Sequence, residues 1–112
     1  MKVLERFDDF KGSEIRTLKI ISPTEIELTL TAQDRARGFD WITLSMLFSG
    51  VSDARVVDEN KLAYLDLDDG VSIQKEGDNF VFALGNYANS TAFKDAQLYI
   101  ISKNIKYTEG AF

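Results

Sequence analysis

Glu25-Ile26-Glu27-Leu28-Thr29-Leu30-Thr31 decides the fold class. Every second residue is apolar, which places Ile26, Leu28 and Leu30 on one face of a strand and the polar set on the other. Just upstream, Ile15 to Ile21 is rich in β-branched residues and joins this stretch through Ser22-Pro23-Thr24. Proline fixes φ and removes a ladder donor there, so the two runs read as a hairpin. Downstream, Trp41 to Phe48 repeats the alternation, with Ile42, Leu44, Met46 and Phe48 on one side, and Gly50 ends it. That pattern predicts a central strand.

The remaining chain extends the pattern. Lys61 to Leu67 and Val71 to Lys75 flank Asp68-Asp69-Gly70, and Phe80 to Leu84 follows Glu76-Gly77-Asp78-Asn79. Both turns contain residues that accept left-handed backbone angles, so a meander of short strands is expected. Ala96 to Tyr107 reads as one long strand whose apolar phase slips at Ile100-Ile101, by a bulge or by burial of both faces. Only Val3 to Phe10 and Ser90 to Ala96 look helical, and both are too short to stand alone. The expectation is a mainly β, single domain over residues 1–112, an antiparallel sheet curled into a sandwich or partly open barrel. An α+β sheet covered by one helix is the alternative.

The chain has 112 residues, with neither cysteine nor histidine. Lacking both, it cannot build a Ser-His-Asp or Cys-His group, a thiolate nucleophile or a conventional zinc or copper site. Any enzyme here would have to work with carboxylates, lysine, tyrosine or a hard metal ion; no catalytic residue, metal site or cofactor is expected. The lack of cysteine, of a signal-peptide pattern in Met1 to Arg6 and of a membrane-length apolar stretch points to the cytoplasm.

The formal net charge of -5 is unevenly spread. From Asp53 to Asp78 there are eight acidic residues against three basic ones, whereas the rest of the chain balances ten against ten. Such a segment repels phosphate backbones and anionic lipid, so nucleic acid and membranes are not expected partners, and a basic protein is. Asp58, Glu59, Asp66, Asp68 and Asp69 are the candidate partner-binding residues. The competing reading is a solvated face that serves solubility.

Asp66 and Asp68, two apart on an expected strand, would project from one face at roughly 7 Å, compatible with paired acid-base or metal chemistry. Leu65 and Leu67 on the other face make solvent exposure the simpler reading. An EF-hand register through Gly70 fails because aliphatic Leu65 and Leu67 take the first and third ligand positions. Arg35, Arg37 and Gly38, followed by Phe39 and Trp41, form a loop able to hold an anion or stack on a flat ligand. The simpler expectation is that Phe39 and Trp41 plug the end of the core. A ligand pocket within the curled sheet would draw on Trp41, Tyr64, Tyr87 and Tyr99.

Phe7-Asp8-Asp9-Phe10, then Ile15 and Ile20, then Ile26-Glu27-Leu28, then a strand ending Leu47-Phe48-Ser49-Gly50-Val51, resembles the layout of small bacterial β domains, some assigned as immunity proteins of polymorphic-toxin systems. The resemblance covers roughly residues 4 to 52 and rests on hydrophobic spacing. In that group a polar pair, often His-Asp, precedes the first strand; here Asp8-Asp9 stands in its place. The resemblance implies a non-enzymatic protein-interaction domain that binds and blocks a toxin, with no catalytic residues to carry over. A basic enzyme such as a nuclease would suit the acidic segment. A small-ligand-binding β domain and a carboxylate-based enzyme remain the alternatives.

Overall fold

The computed structural model describes residues 7–65, 67–85 and 92–110. Its strands are β1 (Ile15–Ser22), β2 (Glu25–Asp34), β3 (Asp40–Ser49), β4 (Asp53–Arg55), β5 (Val71–Glu76), β6 (Asn79–Leu84), β7 (Tyr99–Ser102) and β8 (Asn104–Gly110). They form two four-stranded antiparallel sheets, ordered β1-β2-β3-β8 and β4-β7-β6-β5. The fold is mainly β, two facing sheets around a shared core, as the alternating pattern requires; among the described residues neither sheet closes into a barrel.

Register follows from the apolar alternation. Ile26 pairs with Phe48, Leu28 with Met46 and Leu30 with Leu44, so a single side of the β2–β3 ladder carries the core. A slip of one residue would turn that set to solvent. β3 lies between β2 and β8, the central position expected of it. The second sheet contributes Val71, Ile73, Phe82, Leu84, Leu98 and Ile100 to the same core. Phe48 meets Phe82 edge to face across the sandwich, with ring centroids 5.2 Å apart. Each such large apolar side chain stabilises the fold by about 1.5–3 kcal/mol on burial.

Two expected strands turn out differently. Lys61 to Tyr64 belong not to a strand but to a 3-10 helix, Glu59–Tyr64, that packs against β1. Leu62 is buried and Leu65 half-buried; three residues apart, they share a face in a three-residue turn. The stretch from Ala96 to Tyr107 is two strands, in different sheets. The chain leaves β7, turns at Lys103 and enters β8, while the Lys103 N–H donates to the carbonyls of Ser49 and Gly50 at 3.1 and 3.2 Å. The slipped apolar phase has a second cause. β7 is covered on both faces, with Leu98 and Ile100 turned to the core and Tyr99 under Phe93 and Ala96 beside the 3-10 helix Ala92–Asp95.

The N-terminal Phe7-Asp8-Asp9-Phe10 is a tight plug instead of a regular helix. Asp9 and Phe10 both have left-handed φ, at 55° and 60°. Those angles bring the rings of Phe7 and Phe10 into a stack 5.4 Å apart, and both are buried. No helix among the described residues is long and apolar enough to cross a membrane.

Candidate functional site

The turn that carries Asp68 and Asp69 is locked to the N-terminal plug. Leu67 O accepts from Gly70 N at 2.9 Å, closing the Leu67-Asp68-Asp69-Gly70 turn, and also from Gly12 N at 3.0 Å. Gly70 has φ 74° and lies directly under the Asp9 carbonyl, which a β-carbon there would overlap. Only glycine combines that angle with that approach. The interlock brings Asp9 beside Asp68 and Asp69, and Asp68 and Asp69 are exposed.

The other acidic candidates lie elsewhere. Asp58 is exposed at the start of the 3-10 helix, and Glu59 supplies that helix's first residue. Asp66 and Tyr87 fall outside the described residues. Asp53 sits on β4 and Glu76 ends β5, on the two opposite edges of the second sheet. Contiguity in sequence therefore does not become one patch. Nor does the paired-carboxylate arrangement form on a strand, since Asp68 lies in a turn next to the buried Leu67. Among the described residues no group of three or more carboxylates is placed to hold a metal ion.

The aromatic candidates do not line one cavity. Trp41 stands exposed at the start of β3, Tyr64 is 84% exposed on the 3-10 helix, and Tyr99 is buried on the outer face of the second sheet. The Tyr99 hydroxyl donates to Asp53 Oδ2 at 3.2 Å, and the Arg55 guanidinium lies 5.7 Å from the centre of its ring. Burial, then the hydrogen bond to Asp53 and that carboxylate's charge, raise the phenol above its ordinary range; Arg55 opposes them. A phenol held in its neutral form fits a structural role. Tyr64 instead borders a surface cleft of about 440 Å³ with Val57, Lys61, Leu65 and Gln97.

The β2–β3 loop corrects the expectation that Phe39 and Trp41 plug the core. They are 56% and 42% exposed, while Phe7 and Phe10 occupy the buried positions. The loop is held by Asp34, whose side chain is fully buried. Its Oδ1 accepts from Ala36 N at 2.9 Å, and Oδ2 lies 3.5 Å from Arg37 Nε. Phe39 N donates to Asp34 O at 2.8 Å across the left-handed Gly38, a helix-capping bond of the six-to-one kind. Phe39 itself has φ 67°, a conformation that a bulky side chain rarely adopts. The sequence marked these residues as a group; it gave no sign of the buried carboxylate that organises them.

No family model, curated protein or solved structure matches the chain. Local geometry and surface chemistry therefore carry the functional reading.

Proposed function

We propose that the chain is a non-enzymatic protein-interaction domain of the bacterial immunity type, which binds a basic partner through carboxylates displayed at one end of the sandwich. The observation that carries this reading is the interlock of the N-terminal plug with the Leu67–Gly70 turn, which sets Asp9 beside the exposed Asp68 and Asp69. Carboxylates fixed on tight turns meet a cationic surface without first ordering a loop, which limits the entropy cost of binding. Asp58 and Glu59, at the start of the Glu59–Tyr64 3-10 helix, are a second and separate group of carboxylates in this reading. A working place in the cytoplasm is consistent with a cysteine-free sequence.

The test is fluorescence anisotropy with a labelled oligolysine peptide and with a panel of basic bacterial nucleases, each at low and high salt. Affinity for one nuclease should far exceed that for oligolysine, fall steeply with salt, and drop in Asp9→Asn/Asp68→Asn/Asp69→Asn. The reading fails if binding ignores both the salt and the triple substitution, or if no nuclease binds better than oligolysine. Asp58→Asn/Glu59→Gln separates the second group of carboxylates from the first.

A further inference from the structure

The 3-10 helix Glu59–Tyr64 turns one face to the core and another to an open cleft. In a three-residue turn, side chains three apart stand one above the other. Leu62 points inward, where it is buried, while Lys61 and Tyr64 share a face that borders the cleft. Val57, just before the helix, and Leu65, just after it, are half-buried and add apolar wall. Gln97, in the segment leading to β7, also lines the cleft; Ala96 and Leu98 on either side of it are buried in the two separate apolar clusters, and Gln97 is left exposed. From this arrangement we infer a binding site for a small aromatic carboxylate.

Each part of that ligand has a counterpart. The cleft holds about 440 Å³, within the ~300–1,000 Å³ range of small-molecule sites. Val57 and Leu65 offer apolar surface, and Tyr64, 84% exposed, leaves its ring open to offset or edge-to-face contact with a second ring. Two polar tips remain. Among the described residues neither the Lys61 ammonium nor the Gln97 amide has an ion-pair or hydrogen-bond partner in the protein. Both donate, and one carboxylate can accept from an ammonium and an amide N–H together. Lys61 is also the one charged side chain among the described residues that line the cleft, so a cationic ligand would set like charge against it. The flexible four-carbon stem lets the ammonium follow the ligand's head. Charge separates this cleft from its neighbour between β1 and the same helix, about 330 Å³, which is lined by both Glu14 and Arg16 and so favours neither sign. Asp58 and Asp95 are exposed and close in sequence but form no part of the lining; their influence passes through solvent and falls with salt.

Amide NMR of the isotope-labelled chain, titrated at physiological salt with naphthoate, naphthamide and naphthylmethylammonium, tests the site. A ligand of this size reaches a Kd of about 1 mM at the efficiency ordinary for drug-sized molecules. Naphthoate should saturate in that range, with the largest shifts at Val57, Lys61, Leu65 and Gln97, and the neutral and cationic compounds should bind at least fivefold more weakly. Lys61→Met keeps the apolar stem, removes the charge and should weaken naphthoate at least fivefold. Tyr64→Ser should weaken all three ligands. Lys19→Met makes the same charge change at an exposed position on β1 that does not line the cleft, and should alter nothing. Lys61 and Tyr64 are both exposed, so the variants keep their fold, which their amide spectra confirm. No saturation an order of magnitude above the expected Kd, shifts centred elsewhere, equal binding of the three ligands, or unchanged affinity in either Lys61→Met or Tyr64→Ser overturns the inference. Tighter binding of the ammonium overturns it in favour of control by the surrounding acids.

Discussion

Replacing Gly70 with alanine tests the interlock of the two turns directly. The new β-carbon would overlap the Asp9 carbonyl oxygen and approach the carbonyl carbon and Cβ of Asp9 at 3.2 Å. Backbone lies on the other side of the contact, so no side chain can swing aside. Gly77 provides the control: it has φ 60° but nothing within 4 Å of an added β-carbon. Both substitutions incur about 1–2 kcal/mol for placing alanine in left-handed backbone. Both recover roughly 0.4–1 kcal/mol from a less flexible unfolded chain, which cancels in the comparison. Gly70→Ala carries a further cost. Separating the turns removes the Gly12–Leu67 hydrogen bond, about 1 kcal/mol. It also loosens Phe7 and Phe10, each contributing about 1.5–3 kcal/mol through burial. Partial release of the plug gives an expected difference of roughly 2–4 kcal/mol between the two variants, with G70A the less stable. Urea unfolding followed by circular dichroism measures it. Trypsin gives an independent readout, because Lys11 lies in the same turn: G70A should be cut after Lys11 faster than G77A. Equal unfolding midpoints and equal cleavage would refute the interlock.

Three further outcomes are expected. Asp34→Ala removes the N-cap acceptor for Ala36 N and should cost about 0.5–2 kcal/mol in urea unfolding, with lower steady-state anisotropy of Trp41 fluorescence as the loop gains freedom. Tyr99 has a raised pKa in the folded state, so its contribution is fully present below about pH 10, the ordinary tyrosine value, and is lost as pH rises through the folded value. Tyr99→Phe should therefore flatten the alkaline limb of stability against pH, and ultraviolet difference absorbance should lose a tyrosine that titrates above the ordinary value. Phe82→Ala, which empties the space against Phe48, should cost about 3–5 kcal/mol, whereas Tyr107→Ser at a half-exposed position should stay within about 0.5 kcal/mol in the same assay.

How far the sequence could be read depended on how many neighbours each segment needs. The β1–β2–β3 meander was legible because its two hairpins are local and β2 and β3 each alternate over several residues, so register follows from pattern alone. Lys61 to Leu67 was misread because Leu62, Leu65 and Leu67 suit period two about as well as period three over so short a run, and contact with β1 decides between them. The break at Lys103 was hidden because β-favouring residues continue through it, from Ile100-Ile101 to the alternating Ile105-Lys106-Tyr107; the carbonyls of Ser49 and Gly50, more than fifty residues away in sequence, hold the corner. Phe39 and Trp41 were assigned to the core by residue type, but Phe7 and Phe10 already fill that end. The acidic run was visible as composition, yet its division between the two edges of a sheet depends on strand order, which composition does not encode.

The position of β7 between β4 and β6 bears on the order in which the chain can assemble. During synthesis the first three strands can pair as soon as residue 49 is free of the ribosome, each with a partner made moments before. β4 emerges next and has nothing to pair with until residues 99–102 follow, so it waits through nearly fifty residues of translation. Until the β5–β6 hairpin follows, the apolar side of the first sheet lacks its cover, a surface of the kind that chaperones bind on nascent chains.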